Sequence, residues 1–341
     1  MGVDKIQQVS EKEYYSKFAV SNSSLSWFQQ SPKYFIAQLN GEIKDETPRT
    51  YFELGRQIHM RVLETEDFFK TYAYVDVDLP SSKQQKEFAK KYLDSKLKTK
   101  EEKSVEAYTE TYTTKGKSDA KIQEIALETY GKLSRYIDYL ERTVDAKVIL
   151  PWNTWQLING CAKEMLNHKA CSSMLVDDPF GNIESYNELP IFWEWKGVKC
   201  KSMLDRVVID HDNKVIKLID VKTTSNIYGF GKSFAKFGYY RQCAYYWLAL
   251  KYWIDNNTEY NIEDYTQETY ILATNKDEQV PEVRVFQVEE YQLLDGINEI
   301  EELMPLIKWH FDNDKWDHDK EYYEGNGIVK ISRKDYIDGK A

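Results

Sequence analysis

The clearest pattern of apolar and polar positions lies in the middle of the chain. Val215 to Val221 is an apolar run rich in β-branched residues, which is typical of a buried strand. Arg206 to Asp210 predicts a second strand, and the four polar residues between the two runs predict a turn. A hairpin closed by this turn places Asp210 opposite Val215.

Two charged residues interrupt the buried run. Asp220 and Lys222 are two positions apart, so both side chains leave the same face of the sheet. Desolvation makes such a pair a poor source of stability, which indicates either a functional site or the end of a strand that resembles one. Counting back along the hairpin puts Asp205 opposite Asp220, with Cβ atoms about 5 Å apart. Two carboxylates this close repel unless a proton or cation lies between them, and a hard divalent ion such as Mg²⁺ suits their oxygens.

Helical and alternating patterns predict the remaining elements. A strand meander, followed by a helix that returns the chain to further strands, predicts an α/β fold with a central mixed sheet flanked by helices. The predicted helices are Ser21–Gln29, Pro32–Leu39, one from Tyr51, Ser81–Lys103, Ile122–Val144, Trp155–Leu175, Gly238–Ile254 and Glu289–Phe311. The other predicted strands are Tyr72–Leu79, Glu184–Trp193, Val198–Leu204, Thr269–Thr274 and Glu282–Val288.

Two predicted helices carry further polar candidates. Gln242 and Tyr246 are four residues apart and therefore share one helical face. Gly55 and His59 have the same spacing, and a small residue one turn before a histidine lets the backbone approach a neighbour. On this helix alone, a buried core histidine is the simpler interpretation of His59.

The order of these motifs resembles the PD-(D/E)XK nuclease superfamily. G-x-x-x-H, then D, then D-x-K, then Q-x-x-x-Y occur in that order. The residues within and around these motifs are similar to those of the RecB-type branch. They are most similar to those of the C-terminal domain of RecE (exonuclease VIII) and its phage relatives. The resemblance runs from about Ser21 to about Phe311. It departs at Ser202-Met203-Leu204, where the family usually has Gly-Arg-Pro.

The resemblance implies a restriction-endonuclease-like core and a role for each motif. Asp205 and Asp220 would hold the metal, with His59 and the carbonyl of Val221 as further ligands. Lys222 would act on the attacking water and the phosphate. The supporting residues would be Gln242 and Tyr246, and the predicted nucleic-acid contacts are Lys201, Thr223, Thr224, Tyr240 and Arg241.

The resemblance also implies an activity and its partners. We expect a Mg²⁺-dependent exonuclease, with Mn²⁺ able to substitute, that resects double-stranded DNA ends 5′ to 3′ and leaves 5′-phosphates. It would work with a RecT-like single-strand annealing protein in phage-type recombination, as a ring-shaped homo-oligomer. The expected location is the cytoplasm of a bacterial host, with the gene carried by a phage or prophage. The alternatives are a Cas4-like or structure-specific nuclease, and a catalytically silent DNA-binding protein of the same fold.

Composition changes this picture in few places. A net charge of −10 argues against a nucleic-acid partner. Much of this negative charge lies near the C-terminal end, because residues 289–324 include twelve acidic residues and only three lysines. Between 214 and 241 there are six basic residues and one acid. The four cysteines lack C-x-x-C spacing, so no iron–sulfur cluster is expected. The sequence contains no P-loop, so we expect no nucleotide cofactor. It also contains no apolar run of the kind that forms a signal peptide or spans a membrane.

The predicted organisation has three parts. Residues 1–20 are expected to be flexible, and 21–311 to form one nuclease domain with a mostly helical insertion at about 76–150. Residues 312–341 form an acidic, then glycine-containing tail. The stretch 81–103 has eight lysines and four acids, and both a helix along DNA phosphates and a solvated helix remain open. Glu188 is either a further acid near the metal or, as favoured here, a water-facing carboxylate on an edge strand.

Overall fold

A computed structural model describes residues 11–43, 50–74, 80, 82–142, 147–177, 179, 181–277 and 280–328. The chain divides into two compact units, one formed by Met1–Leu63 with Gly160–Ala341 and the other by Glu64–Asn159. The predicted insertion at about 76–150 lies inside the second unit. The assignment of 21–311 as one domain stays a prediction.

The described residues form helices and strands in the following order. The helices are α1 (Glu11–Ser16), α2 (Asn22–Gln30), α3 (Pro32–Leu39), α4 (Thr50–Leu63), α5 (Thr65–Thr71), α6 (Lys83–Asp94), α7 (Lys100–Thr111), α8 (Asp119–Arg142), α9 (Trp152–Asn167), α10 (Lys169–Leu175), α11 (Phe230–Lys236), α12 (Tyr239–Asn257), α13 (Glu290–Asn313) and α14 (Lys320–Glu324). The strands are β1 (Tyr72–Tyr74), β2 (Val148–Leu150), β3 (Ile183–Trp195), β4 (Val198–Asp210), β5 (Val215–Thr224), β6 (Thr266–Asn275) and β7 (Val283–Val288).

A five-stranded mixed sheet organises the larger unit. Its order is β3-β4-β5-β6-β7. The pairs β3–β4, β4–β5 and β6–β7 are antiparallel, whereas β5 and β6 are parallel and are connected through α11 and α12. The predicted α/β fold, with a mixed sheet flanked by helices, is confirmed.

Two hairpins fix the register of the first three strands. Lys196 and Gly197 both have positive φ, 47° and 90°, which a tight two-residue turn with the twist of the sheet requires. In the second hairpin Asp210 pairs with Val215, as the turn length predicts. Pairing of β4 with β5 ends at Arg206 and Ile219, although both strands continue. The two strands therefore cease to pair one step before Asp205 and Asp220.

The main apolar core lies between this sheet and four helices. Residues of α2, α3, α12 and α13 pack with the inward positions of β3, β4 and β5. Leu25, Phe35 and Tyr245 are fully buried there. The Tyr245 hydroxyl donates to the Val20 carbonyl at 2.8 Å, which satisfies the one polar atom of its side chain.

The segment before α2 is tied to β4, which corrects part of the flexible start expected for residues 1–20. Val20 donates to the Lys199 carbonyl at 2.9 Å and accepts from the Lys201 N–H at 2.7 Å. The Lys201 ammonium donates to the carbonyls of Tyr14, Tyr15 and Lys17 at 3.2, 3.4 and 2.8 Å. These carbonyls lie at the end of α1, where a cation suits the unpaired acceptors. Residues 1–10 lie outside the described residues.

Two predicted helices are each divided in the structure, and one helix was missed. The helix expected over 81–103 is two helices, because Thr99 begins α7 with a capping box to Glu102. The helix expected over 155–175 is likewise divided, since His168 caps α10. Helix α11 was not predicted at all. Of the strand expected over 72–79, the described part is β1, and 75–79 lie outside the described residues.

The second unit has its own apolar cluster, built from α6, α7 and α8 around Phe88 and Ile137. All four cysteines are buried free thiols, as expected. Within the described part of the chain, none of the helices combines the length and the apolar character that crossing a membrane would demand.

Gly296 sets how closely α13 approaches α12. A Cβ at this position would lie 2.7 Å from the Tyr240 carbonyl oxygen and 2.8 Å from the Ala244 Cβ. We predict that Gly296→Ala lowers the free energy of unfolding by about 1–3 kcal/mol, because the two backbones must move apart. Denaturant unfolding measures it.

Gly231→Ala in α11 is the matched control, since a Cβ there meets nothing within 4 Å. It should change stability by less than about 1 kcal/mol. Equal losses in the two variants would contradict the close packing of α12 and α13.

Candidate active site

Five elements of the larger unit bring the predicted motif residues together where β4 and β5 cease to pair. Asp205 lies on β4, and Asp220 and Lys222 lie on β5. From the helices come His59 on α4 and Gln242 and Tyr246 on α12, and β3 adds Glu188.

Asp205 is held by hydrogen bonds from two directions. Its Oδ2 accepts the Val221 N–H at 2.8 Å and lies 2.8 Å from Nε2 of His59. Burial would raise the pKa of Asp205, but His59, Lys222 and the Val221 N–H outweigh burial and lower it to about 2. Asp205 is therefore an anion throughout the neutral range.

On β5 the buried Asp220 pairs with the half-buried Lys222. The Lys222 ammonium lies 2.7 Å from Oδ1 and 2.6 Å from Oδ2 of Asp220. Only the Oδ1 contact has hydrogen-bond geometry, so Oδ2 lacks a hydrogen-bond partner among the described residues. Desolvation, aided by the charge of Asp205, raises the pKa of Asp220 to about 6 despite the ammonium. For Lys222 the two aspartates outweigh burial and raise the pKa above its ordinary value.

His59 bridges two carboxylates. Its Nδ1 lies 2.8 Å from Glu188 and its Nε2 2.8 Å from Asp205. Burial would lower the pKa of the imidazole, but the two carboxylates hold it well above the ordinary value. His59 is therefore an imidazolium in this arrangement, and not the isolated core histidine that its own helix suggested.

The position of Glu188 corrects the favoured reading of a water-facing edge carboxylate. The flanking pairs Asn187–Arg206 and Leu189–Leu204 put Glu188 opposite Asp205. Its φ of 48° is in the left-handed region, and its carboxylate contacts His59. The signal was present in the sequence, because counting back from the two-residue turn at 196–197 gives this same pairing.

Gly55 allows α4 to approach β5. A Cβ at Gly55 would lie 3.1 Å from the Thr223 hydroxyl oxygen. One turn later His59 reaches Asp205, so the small residue before the histidine has the predicted consequence.

Gln242 and Tyr246 share one face of α12, as their spacing predicts. The Gln242 amide donates to Oδ1 of Asp220 at 3.1 Å and to the Tyr246 hydroxyl at 2.8 Å. Burial, with the charges of Asp205 and Asp220, holds the pKa of Tyr246 well above its ordinary value. Its neutral phenol therefore adds no further negative charge to the site.

The donor set suits a hard divalent cation by chemistry. Glu188, Asp205 and Asp220 are three carboxylates facing only two cations, and one buried oxygen of Asp220 has no hydrogen bond. Oxygen donors with excess negative charge are what Mg²⁺ and Mn²⁺ prefer. As the side chains stand, no three His, Cys, Asp or Glu residues of the described ranges converge as ligands. The Val221 contact within the site is through its N–H, and its carbonyl remains a predicted ligand.

The structure places two of the predicted nucleic-acid contacts away from the surface. Arg241 is 2% exposed, and its guanidinium bonds to α2 and to Glu299 at 2.7 Å, which ties α12 to its neighbours. Lys201 is buried with its ammonium on the end of α1. Neither charge faces an open surface, so neither can meet a phosphate without breaking the fold.

The remaining three predicted contacts differ in their surroundings. Thr224 is buried and exchanges local hydrogen bonds with Asn226, which makes it a turn residue. The Tyr240 hydroxyl donates to Glu299 at 2.7 Å. Thr223 is half-buried beside Gly55 and stays a predicted contact.

With this geometry in place, comparison with known families is informative. The sequence matches the family described as "PDDEXK-like domain of unknown function (DUF3799)" over residues 136–323. That span is more than half of the 341 residues. The chain belongs to this family. The match confirms the PD-(D/E)XK superfamily and does not separate a RecE-like protein from other branches.

The PDDEXK-like span contains β3, β4, β5 and α12, and hence the site residues named above except Gly55 and His59 on α4. One solved structure, from Eubacterium rectale and described as a presumed exonuclease, shares 18% identity with a TM-score of 0.45. The match covers 97% of this chain and 99% of that one. No protein of curated function matches the sequence.

The raised pKa of Asp220 predicts a pH dependence of stability. The folded state keeps this proton up to about pH 6, whereas the unfolded chain loses it near 3.8. The contribution of Asp220 is therefore greatest at low pH and is lost as the pH rises through that window. Between pH 4 and 7 in EDTA, we expect Asp220→Asn to gain on the order of 2 to 3 kcal/mol relative to the wild type.

Denaturant unfolding at each pH measures this difference. Asp210→Asn is the control of opposite sign, because hydrogen bonds from Asn213 lower the pKa of Asp210. That variant should lose stability relative to the wild type as the pH rises. A flat profile for Asp220→Asn would contradict the desolvated state of its carboxyl group.

Proposed function

We propose that this protein is a divalent-metal-dependent deoxyribonuclease that acts on DNA ends. The observation that carries the proposal is the placement of Asp205, Asp220 and Lys222 together where β4 and β5 cease to pair. A half-buried lysine paired with the buried Asp220, near a second aspartate, is a poor source of stability and has a chemical use in phosphodiester hydrolysis. Membership of a PDDEXK-like family supports the same conclusion.

The metal would be held by the carboxylates of Asp205, Asp220 and Glu188, with the Val221 carbonyl and His59 as further candidates. When bound, a divalent ion supplies a Lewis acid for the phosphate and lowers the pKa of a water. Nε2 of His59 now contacts Asp205, so its use as a ligand would require that contact to open. Mg²⁺ is the proposed ion and Mn²⁺ a substitute.

Lys222 has the role closest to the reacting phosphate. Its ammonium is fixed against Asp220, and the negative field of the site keeps it protonated. It therefore stabilises negative charge on the scissile phosphate and orients the attacking water, but it does not take a proton from that water at neutral pH. Gln242 holds Asp220 from the helix side, and Tyr246 holds Gln242. These two are positioning residues.

The finer parts of the proposal follow from the resemblance to RecE-type nucleases. They are 5′-to-3′ resection of double-stranded ends with 5′-phosphate products, cooperation with a RecT-like annealing protein, and a ring-shaped homo-oligomer. The setting would be recombination by a phage or prophage in a bacterial cytoplasm.

The first test concerns the site residues. With Mg²⁺ and end-labelled linear DNA, Asp220→Asn should abolish hydrolysis. Lys222→Met should lose about 10²- to 10⁴-fold in rate, because charge on the phosphate is no longer offset. Lys217→Met, on the same strand but outside the site, is the matched control and should keep full activity. EDTA should stop the wild type, and gel electrophoresis follows the products.

Circular dichroism must show that each variant is folded. Calorimetry then separates the roles, since Lys222→Met should still bind Mn²⁺ whereas Asp220→Asn should not. Full Mg²⁺-dependent activity in a folded Asp220→Asn protein would overturn the proposal. Loss of both activity and metal binding in Lys222→Met would show that the lysine is structural.

A second test concerns the substrate and the assembly. Linear duplexes should be digested and covalently closed circles should not, because a closed circle cannot thread a ring. Phosphorothioate blocks at the 5′ end should protect more than blocks at the 3′ end. Light scattering should show a discrete oligomer. Cleavage of closed circles by a monomer would instead support the structure-specific endonuclease.

A further inference from the structure

The loop and short helix that follow β5 expose two large aromatic side chains. Tyr228 is 74% exposed and Phe237 is 54% exposed. Single exposed apolar residues are common and need no explanation. These two differ because a continuous series of ring contacts connects both of them to Lys222.

The series begins inside the site. The Lys222 ammonium lies 5.1 Å from the centre of the Tyr239 ring. Tyr239 is 5.8 Å from the Phe237 ring and 5.9 Å from the Phe230 ring, with which it stacks. The exposed ring of Phe237 therefore contacts Tyr239, and Tyr239 in turn contacts the ammonium of Lys222.

The second branch leads outward through β7. Phe230 stacks on Phe286 at 4.7 Å. The Arg284 guanidinium lies 5.6 Å from the Phe286 ring and 5.2 Å from the Tyr228 ring. The Tyr228 hydroxyl donates to Glu282 at 3.2 Å, which helps to fix the ring in place.

Basic side chains accompany both exposed rings. Lys236 lies 5.6 Å from the Phe237 ring, and Lys232 is exposed one turn earlier on α11. Arg284 is also exposed. The side chains named on this surface therefore carry three positive charges against the one negative charge of Glu282. Exposed rings interleaved with cations are the pattern of single-strand nucleic-acid binding.

We propose that Tyr228, Lys232, Lys236, Phe237 and Arg284 form a stacking surface for the unpaired bases of a DNA strand at the active site. Bases stack on the two rings and phosphates contact the three cations. The inference deepens the proposed nuclease function, because the strand so held is the one whose phosphate meets Lys222. Binding itself requires no hydrolysis and can be measured alone.

The test is fluorescence anisotropy with a short labelled single-stranded oligonucleotide in EDTA. Loss of one base stack weakens binding about tenfold, so Phe237→Ala should raise the Kd by that factor. Phe237→Trp should restore it. Tyr291→Ala is the matched control, because Tyr291 is 63% exposed but lies on α13 beside Glu289 and Glu290. It should leave the Kd unchanged.

An abasic oligonucleotide separates stacking from charge. It keeps the phosphates, so the difference between wild type and Phe237→Ala should disappear on it. Lys232→Ala and Lys236→Ala should weaken binding to both oligonucleotides and lower the slope of log K against log salt by about 0.7 each. An equal loss for Phe237→Ala on both oligonucleotides would overturn the stacking role.

Three further outcomes are decisive. If Phe237→Ala leaves the Kd unchanged but dissociates an oligomer in sedimentation velocity, the surface joins copies of this chain and the proposal fails. If the wild type cuts DNA but shows no base-dependent binding, the stacking surface is also overturned while the nuclease assignment stands. Base-dependent binding without hydrolysis supports the surface and contradicts the nuclease.

Discussion

The pair formed by the buried Asp220 and the half-buried Lys222 is the constraint on which the centre of this protein depends. At both positions β5 pairs with β6, whereas its pairing with β4 has already ended at Ile219, so the backbone that carries the two charges is fixed from the β6 side. Burial makes the carboxylate costly to ionise and the ammonium costly to leave unpaired. The two charges stabilise each other, yet one oxygen of Asp220 still lacks a hydrogen bond. The pair therefore costs stability, and the proposed use of the site is what would explain its place on this strand.

The candidate site lies where the pairing of β4 with β5 ends. Where two strands cease to pair, backbone N–H groups lose their partners and must find others. The Asp205 carboxylate accepts the Val221 N–H, so a side chain replaces a ladder bond at the first unpaired step. The left-handed backbone of Glu188 lies directly opposite, on β3. The backbones of β3, β4 and β5 thus depart from regular strand pairing at one place. The acidic side chains of Glu188, Asp205 and Asp220 lie at this place.

Local rules predicted the part of the site that depends on strand register and helical spacing. The hairpin gave Asp210 opposite Val215, and the four-residue spacing gave Gln242 and Tyr246 on one face. The same counting, applied to the first hairpin, would have placed Glu188. Register alone could not show that pairing stops after Arg206, because that depends on the side chains of Asp205 and His59, which are far apart in sequence.

The burial of Lys201 and Arg241 could not be predicted for a different reason. A count of basic residues does not distinguish charges that bind the protein itself from charges left on its surface. Of the six between 214 and 241, Arg241 is bonded to α2 and Glu299, Lys222 belongs to the site, and Lys214 donates to the Tyr265 hydroxyl at 3.3 Å. Lys217 is half-buried on β5, and the two that remain, Lys232 and Lys236, are exposed on α11. Positive charge near the site is therefore concentrated just after β5 and not along α12. A phosphate backbone would approach the site most favourably from this side.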